Sequence, residues 1–256
     1  MMKAMSYPLL TMPRTVSPEA LDHLPVTDPA ARRSRQDLAR VHQAMSTRAI
    51  VARGWQKMVS VRRARHPLRV LELGAGDGTL LLGVARALAP GWQKVRLTLL
   101  DRQRLVSDAT LDGYARVGWT VRVVTKDALD WAALPASADA TGTADRWDLI
   151  STSLFLHHFQ GQALDSLLGA AAARADRFFA CEPRRAWLAL AGSHFVGALG
   201  ANAVTRQDAV LSVQAGFRGQ EISELWPAPA AAWLCEEHAA GLFSHCFSAQ
   251  RGAVVR

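Results

Sequence analysis

From residue 68 onward the chain alternates two patterns. Short, almost wholly apolar runs are separated by segments in which apolar residues recur every three or four positions. The runs lie in "LRVLEL", "KVRLTLLD", "TVRVVTKD", "RWDLISTS" and "RADRFFACEP", and they predict five strands. A strand with no polar alternation is buried on both faces. The intervening "TLLLGVARALA" and "ALDSLLGAAAAR" have helical spacing. Strands alternating with helices predict a parallel sheet covered on both sides, and right-handed crossovers make it doubly wound. The tail changes character. "TRQDAVLSVQAGF" predicts a helix capped by Thr205, with Asp208 completing a capping box. "GQEISELWP" predicts another short helix. "AWLCEEHAAGLFSHCFSAQR" then holds two β-like runs joined through Gly241, too close for anything but an antiparallel hairpin. The expected fold is α/β, a doubly wound, Rossmann-like sheet of seven strands that ends in this hairpin.

Ahead of the sheet, residues 1–28 contain four prolines and little periodicity, which predicts a loosely ordered lead-in. Residues 29–63 read as helix, with Leu38, Val41, Met45, Ile50, Val51, Trp55 and Met58 at helical intervals and a break near Ser46–Thr47. The expected division is a helical cap over 1–66 and a main domain over 67–256.

Charge sharpens that division. Residues 1–66 carry twelve Lys or Arg against four Asp or Glu, while 67–256 carry eighteen of each, so the net charge of +8 belongs to the first segment. Such a segment suits nucleic acid, an acidic carrier protein or an anionic membrane surface. No aromatic residues interleave with its arginines, which disfavours nucleic acid. No apolar run reaches the roughly 18–20 residues that span a bilayer, and the first twenty residues lack a signal peptide's apolar stretch, so a cytoplasmic protein is expected. Cys181, Cys235 and Cys246 are odd in number and show no CxxC spacing. They read as small buried hydrophobes rather than a disulfide or zinc set. Oligomeric state, including a homodimer, stays open.

The strongest chemical signal is "VLELGAGDGTL", residues 70–80. A glycine turn between a buried strand and a helix lets a ligand approach the backbone and the helix N-terminus. Gly74, Gly76 and Gly78 give GxGxG, with Glu72 inside the strand end and Thr79 where a dinucleotide fingerprint needs glycine. Asp101 ends the second strand, 27 residues after Gly74, where a carboxylate can accept from both ribose hydroxyls. Asp127 and Ala128 follow the third strand, and Ser153 ends the fourth. ExGxGxG in this setting resembles the first motif of the class I S-adenosylmethionine-dependent methyltransferases. The resemblance implies S-adenosylmethionine as cofactor and S-adenosylhomocysteine as product. It implies cofactor contacts from Glu72, Gly74, Gly76, Asp101 and Ser153, and adenine contacts from Asp127 and Ala128. An NAD-dependent dehydrogenase and a non-catalytic partner protein remain alternatives.

Past the fourth strand stands "STSLFLHHF", without the [DN]PPY of enzymes that methylate exocyclic base amines. "WDLISTSLFLHHF" resembles the small-molecule branch, the quinone-biosynthesis and phenol O-methyltransferases. His157 lies nine positions after Asp148, where phenol O-methyltransferases place their catalytic base. The resemblance implies His157 as general base for a small, aromatic hydroxyl acceptor. A neutral imidazole with a pKa of about 6.5 suits that task. Adjacent side chains on a helical turn point about 100° apart, so His158 is expected to be a packing residue hydrogen-bonded to backbone beside the acceptor rather than to share the task. Glu182 either faces the acceptor or pairs with Arg184 or Arg185. His42, His194 and Asn202 are further candidates to shape the acceptor pocket. No carboxylate/His group shows metal spacing, so metal-independent transfer is expected. A carrier-bound acceptor, C-methylation of a quinone- or polyketide-like acceptor, and RNA methylation through the basic segment remain alternatives.

Overall fold

The computed structural model describes residues 12–59, 66–92, 94–135, 146–227 and 232–252. Strands β1 (Leu68–Leu73), β2 (Val95–Asp101), β3 (Thr120–Thr125), β4 (Leu149–Ser153), β5 (Arg177–Pro183), β6 (Trp233–Ala240) and β7 (Ser244–Arg251) form one sheet. Its order is β3-β2-β1-β4-β5-β7-β6. The first five strands pair in parallel, and β7 lies antiparallel between β5 and β6. The chain reverses direction across the sheet between β1 and β4, and doubly wound folds bind ligands at the carboxyl end of that switch point.

The continuous apolar strands serve two cores. Leu71 and Leu73 of β1 join Ile150, Phe178 and Trp131 on one face. Leu68 and Val70 join Leu97, Leu99 and Phe179 on the other. The first face is covered by α6 (Ala128–Ala133) and α7 (Gly161–Arg174), and the second by α3 (Thr47–Met58), α4 (Thr79–Leu88) and α5 (Asp108–Arg116). α3 carries the fully buried Val51 and Trp55. Gly54 lets α3 settle on β5, since a Cβ there would stand 2.2 Å from the Phe179 ring. A boundary at residue 66 therefore separates α3 from the core it packs in. Of the described helices ahead of β1, α1 (Ala20–His23) and α2 (Pro29–Ala44) stand clear of that layer.

Three local expectations change. Within the expected loose lead-in, residues 12–23 form a strap and Met12 is buried, while residues 1–11 lie outside the described residues. The Thr15 N–H donates to the Gln214 carbonyl at 3.1 Å, and Arg14 Nε donates to the Ala215 carbonyl at 2.8 Å. α9 (Ala203–Ala215) begins two residues before Thr205, and its cap is Asn202, whose Oδ1 accepts from the Thr205 N–H at 2.9 Å. Cys235 is exposed on edge strand β6, whereas Cys181 and Cys246 are buried opposite each other in β5 and β7. The helix break falls at Ser46, which takes a left-handed φ of 57°. The end of the expected helix, 60–63, lies outside the described residues.

Candidate functional site

A cleft of about 1010 Å³ opens at the carboxyl ends of β1, β2, β3 and β4. It stands at the upper end of the roughly 300–1,000 Å³ of ordinary ligand pockets, a size that suits a nucleoside cofactor with a small second molecule. The glycine turn and the ends of β2 and β3 form one half. The turn after β4, the strap, α9 and α8 (Trp187–His194) form the other, and α2 walls both.

In the first half, Gly74 and Gly76 hold φ of 70° and 56°, which favours glycine. At Gly74 an added Cβ would stand 2.1 Å from Phe155, so the turn after β4 rests directly on it. At Gly76 an added Cβ would meet nothing within 4 Å and would occupy open cleft. Asp101 braces this turn: its Oδ2 accepts from the Gly76 N–H at 2.8 Å and its Oδ1 from the Gln103 N–H at 2.9 Å. An ionised carboxylate has about four acceptor positions, so two stay open. Asp127 caps α6 through the Leu129 N–H, and both it and Ala128 line the cleft.

Glu72 lies just beneath, almost fully buried. Burial pushes its pKa up to about 7, against the pull of the neighbouring Ser151 and Ser153 hydroxyls. Glu72 Oε2 and Ser153 Oγ are buried without a hydrogen-bond partner, and Ser153 lines the cleft. Buried polar atoms are normally satisfied, so the orphaned Ser153 Oγ on the cleft lining suits a ligand's polar end, whereas Glu72 does not itself line the cleft. His42 also lines this half near Asp77, and burial holds it down to about 4, hence neutral.

The second half is organised by Glu182, which is fully buried. Its carboxylate accepts from the backbone N–H groups of Phe155, Leu156 and His157 at 3.0 to 3.3 Å. It also takes His157 Nδ1 at 2.9 Å. These bonds wrap the turn Leu156–His158 around it and secure Leu154 at φ 57°, a conformation costly for a leucine. Glu182 thus serves the histidine turn rather than Arg184 or Arg185, and Arg185 pairs with Glu221. With Nδ1 held, His157 presents Nε2 to Glu19 of the strap at 3.4 Å. Burial opposes a charge on His157, but Glu182 and Glu19 outweigh it and push its pKa up to about 9. The neutral imidazole expected near pH 7 is thus replaced by a charged one. Burial likewise opposes a charge on Glu19, yet the hydrogen bond and charge of His157 hold that carboxyl below its usual range.

His158 lines the cleft and meets Asp22 Oδ2 through Nδ1 at 3.1 Å. Arg14 staples the strap to the histidine turn, donating to the Phe159 carbonyl at 2.9 Å and the His157 carbonyl at 3.4 Å. The N–H groups of Ala20 and Leu21 donate to the Asp208 carboxylate at 2.8 and 3.0 Å.

Two expected acceptor residues stand elsewhere. His194 is exposed at the end of α8, outside the cleft. Asn202 caps α9 and ties it to α2, donating its Nδ2 to the Ala30 carbonyl and its backbone N–H to Asp37 Oδ2. Leu156 turns into the core. Glu19, His157 and His158 each bring a ligand atom within 4.8 Å of the others, a cluster that linear spacing could not show. Glu19 and Asp22 were missed because they fall in a proline-rich stretch. The available signal was their three-residue separation after Pro18, which sets both carboxylates on one face of a helical turn.

No protein-family model and no curated protein matches the sequence. Solved structures do match. The plantazolicin methyltransferase BpumL in complex with SAH aligns with a TM-score of 0.56 at 13% identity, over 88% of this chain and 92% of that one. An O-methyltransferase family protein from Burkholderia thailandensis aligns at 0.57 and 17%, over 91% of this chain and 62% of that one. The pyocyanin biosynthetic protein PhzM aligns at 0.52 and 17%, over 91% and 60%. The chain has the class I, Rossmann-like methyltransferase fold, and at these identities it is the fold that is shared.

Proposed function

We propose that this chain transfers a methyl group from S-adenosylmethionine to the hydroxyl of a small aromatic acceptor, without a metal, and that His157 receives the acceptor's proton. The observation that carries this reading is the buried His157 on the cleft wall, its Nδ1 held by Glu182 and its Nε2 against Glu19, which also lines the cleft. When bound, S-adenosylmethionine supplies an electrophilic methyl group on its sulfonium. Gly74 and Gly76 would receive its methionine part, Asp101 its ribose, and Asp127 with Ala128 its adenine.

Leu154, Phe155, Phe159, Val196 and Leu199 give the cleft apolar walls suited to an aromatic ring. The acceptor hydroxyl would displace Glu19 from Nε2; without that counter-charge the imidazolium would release its Nε2 proton to water, and the neutral ring would then accept the acceptor's proton, with Glu182 balancing the charge that forms again.

The test is methyl transfer from radiolabelled S-adenosylmethionine to a panel of phenols and quinols. His157→Ala should lower the rate about 10²-fold or more, the low end for a general base, with cofactor affinity unchanged. Chelation with EDTA should leave the wild-type rate intact. Full turnover by His157→Ala removes the base, and loss on chelation makes Glu19, His157 and His158 a cation site.

A further inference from the structure

α8 is packed with its apolar face outward. Trp187, Leu188, Ala191, His194 and Phe195 recur at the intervals of one helical face, and all are exposed. Ala189 and Ser193, on the opposite face, are buried. Trp187 is 56%, Leu188 58% and Phe195 72% exposed, and the next turn adds Leu199 at 44%. Leu242, 55% exposed at the tip of the β6–β7 hairpin, is brought alongside. Its neighbour Phe243 accepts the Arg184 N–H on its carbonyl and lays its ring against Gly192 of α8. Monomeric soluble proteins rarely expose so many large side chains on one face.

The rim of this face is basic. α2 packs against the turn after α8, where Arg33 donates to the Gly200 carbonyl at 3.4 Å and Arg40 approaches Gly200. Arg33 and Arg40 share one carboxylate, Asp37, which leaves a positive charge over. The exposed Arg206 lies against Gly197. Phe195 and Leu199 also line the cleft, so the apolar face runs into its mouth.

We propose that this face docks on an anionic membrane surface. The apolar side chains enter the headgroup boundary, and Arg33, Arg40 and Arg206 meet lipid phosphates. Trp and Phe suit that depth because their rings tolerate both phases. A second copy of the chain is the poorer occupant, because face-to-face pairing would set the arginine rims against each other. No helix among the described residues is long and apolar enough to cross a membrane, so the docking is peripheral. On the methyl-transfer reading above, the cleft mouth then opens toward the bilayer and the acceptor is lipophilic.

The test is co-sedimentation of the full chain with vesicles of phosphatidylcholine plus phosphatidylglycerol, against pure phosphatidylcholine. Binding should favour the anionic vesicles and weaken with added salt. The double variant Trp187→Asp, Leu188→Asp changes two exposed residues outside the cleft. It should keep its melting temperature and S-adenosylmethionine affinity while partitioning at least about tenfold less. Failure of the wild type to bind the anionic vesicles overturns the proposal. So does a dimer in light scattering that the double variant dissolves, which would make the face an interface between copies. Partitioning is read without any methyl acceptor, so it stands or falls separately from the enzymatic reading.

Discussion

At the residue scale the histidine pair shows what a sequence can and cannot hold. The nine-residue step from Asp148 singles out His157, which is buried on the cleft wall, with His158 beside it. The protonation state was not legible, because it depends on carboxylates at positions 19 and 182 that only folding brings together. The consequence is measurable by NMR. The His157 ring should titrate near pH 9, and Glu19→Gln should move that midpoint down by removing one of the two groups that raise it. A His157 that titrates near 6.5 in the wild type would remove the coupling. Glu182→Gln is the harsher change. The amide nitrogen would face N–H donors that the carboxylate now satisfies, and His157 would lose its main counter-charge. Breaking a buried pair costs about 3–5 kcal/mol, so a large drop in the urea midpoint is expected.

At the element scale, the strands were legible because a strand buried on both faces writes an unbroken apolar run. The strap was not, because its order comes from outside itself. It is held to α9 and to the histidine turn by bonds such as those of Arg14 to the carbonyls of Phe159 and Ala215. Polar, proline-containing segments of this kind carry no periodicity to read. The α9 cap was misplaced for a related reason: Asn202 and Thr205 are both good caps, and the tie of Asn202 to Asp37 of α2 decides between them. Deleting residues 1–23 should therefore expose His157 and cut methyl transfer by about tenfold or more, as loss of a positioned partner does. The glycine turn and α3 lie outside the deletion, so S-adenosylmethionine affinity should hold within a few-fold. A truncated chain with full turnover would make the strap dispensable to the chemistry.

At the scale of the whole molecule, a basic protein of net charge +8 keeps an acidic nest at the wall of its cleft. Glu19, Asp22 and Glu182 gather around the two histidines, and Asp208 holds the strap residues Ala20 and Leu21 behind them. Burial, with the charges of Glu19 and Asp22, lifts Asp208 above its usual range. The pH dependence of stability follows from the raised pKa of His157. Its contribution is complete below the unfolded value of about 6.5 and is lost as pH rises through about 9, on the order of 3 kcal/mol at most. Urea midpoints should fall between pH 6.5 and pH 9.5 in the wild type and fall less in His157→Gln, and equal falls would show that the pair does not couple to folding.

The central claim is that the cleft beside the glycine turn binds S-adenosylmethionine, and isothermal titration tests it most directly. The wild type should bind one equivalent of S-adenosylmethionine and show no heat with NAD. Gly76→Val fills the open space at that turn and should abolish binding while cooperative melting is retained. A wild type that does not bind S-adenosylmethionine, or a Gly76→Val that binds it undiminished, would contradict the account.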